Sequence, residues 1–322
     1  NDTQGHDAGD ELLAQVAARI SGLVGETDTV ARFSGDEFAI VHLDADQPQA
    51  ARRLAGRLVE SLGRDYQIHD GIVRIGASIG VAVYPEDGTS ADEVLRRADM
   101  ALYRAKSEGR DTYRFFEPAM DRAMRARREL ELDLRLAIET GGLHLEYQPQ
   151  ADADTGTIIG FEALVRWNHP TRGPLPPGDF IGVAEESGLI MALGEWVMRQ
   201  ACLDAAAWSR PLKVAVNLSP VQFQRAPLGI QVAEVLADTG LDPARLELEI
   251  TESVLMSDRE LAAAVLHDLK RLGVSVAMDD FGTGYSSLSY LQAFPFDKIK
   301  IDRSFVSSLA DSEDARAIVK AV

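Results

Sequence analysis

Hydrophobic positions along the chain change their period near its middle. From Asp10 to Leu23, Leu12, Leu13, Val16, Ala17 and Ile20 fall on one face of a helical repeat, which predicts a helix. Val30 to Leu43 instead carries two apolar strand segments around Ser34-Gly35-Asp36-Glu37, the pattern of a β-hairpin closed by a tight turn. Ala50 to Leu62 reads as a second helix, Gly71 to Tyr84 as strands, and Ala91 to Ser107 as a third helix stopped at Gly109. Short alternation of this kind predicts a small α/β or α+β domain over residues 1–115.

Glu117 to Glu139 is dense in Arg and Glu, with Leu130, Leu134 and Ile138 at helical spacing beneath. It predicts a solvated linker helix (116–128) leading into a second domain (129–322). From Leu143 onward apolar strands alternate with longer helical segments: Gly160 to Trp167, Lys213 to Leu218, Arg245 to Thr251, Val274 to Asp280 and Asp297 to Ile301. Glu162, Asn217, Glu249 and Asp279 follow one another at intervals of 55, 32 and 30 residues. One or two crossovers of about 30 residues produce such intervals, so a parallel sheet closing into a barrel is expected. Chemistry in such barrels gathers at the carboxyl ends of the strands.

Composition narrows the class. With 322 residues, 46% hydrophobic and 26% charged, the chain has the make-up of a soluble protein and the length for two domains. A formal charge of -18 argues against a general nucleic-acid partner, because backbone affinity rests on clustered Lys and Arg. An anionic substrate would need metals or a few placed cations. No apolar run approaches the ~20 residues of a membrane span. The single Cys202 has no disulfide partner and no Cys or His companion at metal spacing, which favours a reducing, cytoplasmic compartment. The six histidines are scattered, and none lies near a Ser or Cys in a nucleophile motif.

Each strand of the second half ends on an oxygen-rich residue: Glu162 in FEALVRW, Asn217 in VAVNLS, Glu249 and Glu252 in LEITES, Asp279 and Asp280 in VAMDDFGTG. One such residue is more often a turn former or helix cap. Five in register, Glu162, Asn217, Glu249, Asp279 and Asp280, would converge on one barrel mouth, and their carboxylates would repel each other unless cations lay among them. Carboxylate and amide oxygens suit Mg²⁺, Mn²⁺ or Ca²⁺. Two such ions about 3.5–4 Å apart clamp a phosphodiester and acidify a bridging water. Lys298, Lys300 and Asp302 share one face of KIKID, and Lys300 is placed to orient water or to stabilise charge on the phosphorus.

EALVRW (Glu162 to Trp167), YQP (Tyr147 to Pro149), NLS at Asn217, EITES at Glu249, DDFGTGYSS at Asp279 and KIKID at Lys298 together resemble the EAL-domain cyclic di-GMP phosphodiesterases. The resemblance implies a TIM-like (β/α)8 barrel that cleaves cyclic di-GMP to linear pGpG with Mg²⁺ or Mn²⁺. It implies Glu162, Asn217, Glu249, Asp279 and Asp280 as metal ligands and Lys300 beside the attacking water. Gln148, Leu164 and Arg166 then contact substrate, Glu252 holds the DDFGTG loop, and Asp279 to Leu291 forms a homodimer element. The family's later EGVE-like segment and closing strands lie beyond Val322, so a longer natural chain is expected.

In the first half, NDTQGHDAGDELL (Asn1 to Leu13), RFSGDEFAI (Arg32 to Ile40) and ADMALYRAKSEGRD (Ala98 to Asp111) resemble the GGDEF diguanylate cyclases. That resemblance implies a ferredoxin-like cyclase palm holding GTP and Mg²⁺. Asn1 and Asp10 match guanine contacts, Gly35, Asp36 and Glu37 the signature turn, and Lys106 and Arg110 the phosphate contacts. Ser34 stands where the signature has its first glycine. The family's first strand, with a metal-binding Asp, would precede Asn1, and the inhibitory RxxD position reads Gly25-Glu26-Thr27-Asp28. A sensory domain upstream is expected. Three readings stay open: a phosphodiesterase with a regulatory or weakly active cyclase half, a bifunctional cyclase and phosphodiesterase, and a non-catalytic cyclic di-GMP receptor.

Overall fold

The structure, a computed structural model, describes residues 6–44, 46–69, 71–225, 227–252, 254, 259–282, 294–309, 316 and 319. Two compact units divide the chain, Asn1–Arg127 and Arg128–Val322. Each has its own apolar core.

In the first unit, helices His6–Ser21, Gln49–Leu62 and Ala91–Ser107 alternate with β1 (Thr29–Ser34), β2 (Glu37–Val41), β3 (Tyr66–Ile68), β4 (Gly71–Val73), β5 (Ile79–Val81) and β6 (Tyr113–Phe115). The strands pair two by two, β1–β2 and β3–β4 antiparallel and β5–β6 parallel. The β1–β2 turn is the expected hairpin: Gly35 takes φ 51°, a conformation that costs glycine little, and Arg32 Nε donates to its carbonyl at 2.8 Å. Leu54, Leu58 and Leu62 recur at every fourth position of their helix and meet Val16, Ile20, Tyr66 and Ile68 in the core. The Ala91–Ser107 helix starts where Ser90 accepts from Glu93 N and Glu93 reaches back to Thr89 N, a reciprocal cap. That helix packs closely on β5 because Gly80 has no side chain: a Cβ there would lie 2.0 Å from the Ala98 carbonyl oxygen. The strand β3 lies outside the Gly71 to Tyr84 stretch where sequence patterning places the strands.

The helix Pro118–Thr140 covers the amphipathic stretch, and the division between the units falls within it. Leu130, Leu134 and Ala137 are buried in the second core, while Leu132 and Leu136 stay exposed.

Among the described residues the strands of the second unit form one seven-stranded sheet of β7 (Leu143–Ala151), β8 (Ile158–His169), β9 (Gly173–Leu175), β10 (Lys213–Leu218), β11 (Leu246–Thr251), β12 (Ser275–Phe281) and β13 (Lys298–Ile301). Its order is β13-β12-β11-β10-β8-β7, with β9 on β8. From β8 to β13 neighbours run parallel, as the crossover intervals imply, with helices such as Ile190–Ala207, Leu228–Thr239 and Arg259–Arg271 between them. Val214, Val216, Leu246, Leu248, Ile250, Val276 and Met278 form one face, buried in the core with Leu193, Val232 and Leu266 of those helices. The alternate positions carry Asn217, Glu247, Glu249, Lys298 and Lys300 on the opposite face. Both β7 and β9 pair antiparallel with β8, which the parallel βα pattern does not foretell.

Candidate active site

Parallel register brings the polar face into one layer. Asn217 is paired with Glu249, and Asp279 with Thr251 two positions further along β11, so the polar ends of successive strands are stepped and come within reach of one side chain, Lys300. Glu162 departs from the strand-end expectation, because β8 extends to His169 along antiparallel β7. Its pairing with parallel β10 spans only Gly160 to Ala163, however, so Glu162 still sits where the parallel ladder ends.

Lys300 is the hub. Its ammonium donates to Glu249 Oε2 at 2.6 Å, to Asp279 Oδ2 at 2.9 Å and to Glu162 Oε2 at 3.3 Å, joining three strands to β13. Asn217 Nδ2 donates to the other oxygen of Glu162 at 2.8 Å. Glu249, 1% exposed, lies at the floor. Burial raises its pKa to about 7; the Lys300 hydrogen bond opposes the shift, and the charges of Glu162 and Asp279 add to it. Burial also pushes the Lys300 ammonium toward deprotonation, but its bonds to Glu249 and Asp279 prevail and raise its pKa. Asp280 follows with φ 54°, and burial, then the Asp279 and Asp302 charges, raise its pKa above the ordinary carboxylate value.

These four carboxylates, one amide and one ammonium form an oxygen-rich, net-anionic cluster. The donor chemistry fits hard divalent cations. Among the described residues no group of three His, Cys, Asp or Glu stands at ready-made ligand geometry; three of the carboxylates turn toward Lys300 instead.

Gln148, opposite Glu162, and Leu164 and Arg166 along β8 share the Glu162 face. Arg166 donates from Nε to Glu146 at 2.6 Å and from Nη1 to the Val165 carbonyl at 3.0 Å. Glu252 is buried just after β11. Most of the Asp279 to Leu291 dimer element lies outside the described residues. Asp302, on the Lys300 face of KIKID by alternation, instead caps the helix Arg303–Ser307 by accepting from Ser304 N.

In the first unit Asn1 lies outside the described residues. Asp10 is on the first helix, Gly35, Asp36 and Glu37 are at the hairpin turn, Lys106 is in the last turn of the third helix, and Arg110 follows that helix with φ 63°. No hydrogen bond or ion pair joins these described residues to one another. Asp28, read as part of a worn regulatory motif, closes a loop: it accepts from Gly25 N at 2.8 Å, from Leu43 N at 3.0 Å, and contacts His42 Nδ1 at 2.9 Å. Patterning passed over Gln150, which donates to Glu249, and Glu247, which accepts from Lys298; alternation along β11 was the available signal for Glu247, and no local signal marks Gln150.

Comparison with known proteins agrees with this organisation. The EAL domain family matches residues 131–322 and the diguanylate cyclase GGDEF domain family residues 1–112. A Caulobacter vibrioides protein described as an uncharacterized signaling protein is 55% identical over all of this chain, which covers 40% of its length. The bifunctional diguanylate cyclase/cyclic di-GMP phosphodiesterase MucR of Pseudomonas aeruginosa is 44% identical over the whole chain, which spans 47% of it. The cyclic di-GMP phosphodiesterase NbdA of the same organism is 41% identical over 99% of the chain and 42% of its own length. A solved MucR phosphodiesterase in complex with cyclic di-GMP matches 60% of this chain and 80% of its own with a TM-score of 0.58. The chain therefore belongs to the EAL-domain family, with a TIM-like barrel domain preceded by a GGDEF domain.

Proposed function

We propose that the second unit hydrolyses cyclic di-GMP to linear pGpG at the Lys300 cluster, and that the GGDEF domain regulates it or is weakly active. The observation that carries this reading is one ammonium shared by three carboxylates from three strands at the end of a parallel ladder. Glu162, Asn217, Glu249, Asp279 and Asp280 are the residues to hold two Mg²⁺ or Mn²⁺ ions. Such ions supply Lewis-acid stabilisation of phosphoryl oxygens and an acidified water.

The chain's own residues do the rest. Lys300 keeps its proton and places a positive charge beside the reacting phosphorus as negative charge develops there. Glu249, held by Lys300 and at 1% exposure shut off from bulk water, keeps the floor of the site in one geometry. Arg166, with Nε and Nη1 engaged, directs its remaining donors at a phosphate or guanine oxygen, while Gln148 and Leu164 line the same face. GTP with Mg²⁺ is the nucleotide for the hairpin of the first unit, a homodimer through Asp279 to Leu291 the assembly, and a cytoplasmic signalling protein with an upstream sensory domain the setting. Among the described residues no helix is long and apolar enough to cross a membrane.

The test is incubation of the protein with cyclic di-GMP and Mg²⁺ or Mn²⁺, with pGpG read by chromatography. Glu162→Ala is expected to abolish product. Absence of pGpG from the unmodified protein, with cyclic di-GMP recovered intact after tight binding, sinks hydrolysis in favour of a receptor. The similarity to MucR favours a second reading, a bifunctional enzyme.

A further inference from the structure

Beneath the Lys300 layer the same face of the sheet carries a second polar layer. Glu247 precedes Glu249 by two positions on β11, and Lys298 precedes Lys300 by two on β13, so each pair shares a side. Gln150 on β7 stands opposite Gly160 on β8. Lys298 Nζ donates to Glu247 Oε1 at 2.5 Å and to Gln150 Oε1 at 3.1 Å. Gln150 Nε2 donates in turn to Glu249 Oε1 at 3.4 Å.

The other strands contribute only small residues at this level. Ala215 pairs with Glu247, Ala277 with Lys298, and Gly160 faces Gln150, which leaves room for three long side chains. Glu247 is only 2% exposed. Lys298 is partly exposed, and an ion pair with one buried and one partly exposed partner is a weak source of stability, so its presence under the site points to placement of side chains rather than to the core. The hydrogen bonds allow one amide orientation. Lys298 has no acceptor, so Gln150 must turn Oε1 toward it, and Nε2 is then aimed at Glu249. Each Glu249 oxygen thereby has its own partner: Oε1 has Gln150, and Oε2 has Lys300 at 2.6 Å.

We propose that Gln150, Lys298 and Glu247 are positioning residues that fix the rotation of Glu249, and through it of Lys300, from below. The inference rests on the phosphodiesterase reading. It makes Gln150 the relay between the Lys298–Glu247 ion pair and the residues nearest the reaction.

The experiment compares the whole protein with Gln150→Leu, Lys298→Met and Lys298→Arg. It reads kcat and KM for cyclic di-GMP, Mn²⁺ affinity by calorimetry, and thermal melting. Gln150→Leu is expected to lower kcat and Mn²⁺ affinity by about 10- to 100-fold, the range for residues that orient metal-site groups, with KM and melting near those of the parent. Lys298→Met should act likewise, and Lys298→Arg should recover most of the loss. Should Lys298→Met fail to fold because it strands Glu247, Gln150→Leu, which leaves that ion pair intact, decides the matter. Parental kcat and Mn²⁺ affinity in Gln150→Leu overturn the proposal, as does a loss that only follows a lowered melting temperature. If the parent binds Mn²⁺ without hydrolysis, the hydrolytic reading fails alone and Mn²⁺ affinity still judges the layer; if it does neither, both fail.

Discussion

A single side chain, Lys300, converts a set of mutually repelling acids into a site. Its replacement by Met removes the charge that Glu162, Glu249 and Asp279 share. On the proposed reading, in which that charge also meets the reacting phosphate, kcat should fall by about 10²–10³-fold in steady-state assays, the scale of losing one preorganised electrostatic donor. KM should change less, since the interaction strengthens in the transition state. Asp28 shows the opposite outcome of close reading at this scale. Its carboxylate accepts from the Leu43 and Gly25 amides, and these bonds, with His42, hold its pKa below the ordinary value despite burial. A carboxylate with a lowered folded pKa contributes stability above its unfolded value of 3.8, and that contribution is lost as pH falls through the folded value. Asp28→Ala should therefore cost the first unit about 0.5–1.5 kcal/mol near neutrality, the net worth of a hydrogen bond whose amide water can reach once the carboxylate is gone. Acid titrations followed by circular dichroism should show the difference from the parent shrinking as the pH drops below that range.

Among the elements, strand register does most of the positioning. Glu162 is useful only because β8 meets β10 over Gly160 to Ala163 before continuing along β7. Gly160 permits that approach: a Cβ there would lie 2.8 Å from the Lys213 carbonyl oxygen, a clash with backbone that cannot rotate away. Gly160→Val is expected to separate the two strands and displace Glu162 from Lys300. Turnover should drop by at least about tenfold even where the protein remains folded, because a shift near 1 Å at a reacting group costs that much or more. Full turnover in a folded Gly160→Val protein would show that this register does not control the site. Period-2 alternation sorts β11 so that Leu246, Leu248 and Ile250 face the core while Glu247 and Glu249 face the site. Fully buried parallel strands usually read as unbroken apolar runs. The interrupted pattern was thus the local sign that one face serves chemistry.

For the whole molecule, the proposed function raises the question of which direction of cyclic di-GMP turnover dominates. Supplying GTP and Mg²⁺ to Glu162→Ala, in which degradation is blocked, tests this. A regulatory or weakly active GGDEF domain predicts little cyclic di-GMP, whereas steady accumulation would establish the bifunctional reading. Ser34, standing at the hairpin where the signature has its first glycine, motivates the weaker expectation. By itself the sequence determined the strands β8 and β10 to β13 to within a few residues, the three helices of the first unit, and every oxygen donor of the cluster. All of these are written locally, in hydrophobic period and in the polar residues that interrupt it. Only the tertiary structure decided that Glu162 lies within a strand, that β7 and β9 run antiparallel, that Asp28 closes a loop, and that Lys300 is the common partner. It alone revealed Gln150, because the bonds from Gln150 to Glu249 and to Lys298 join residues 99 and 148 positions apart. No local pattern encodes contacts at that separation; they exist only once the strands are laid side by side.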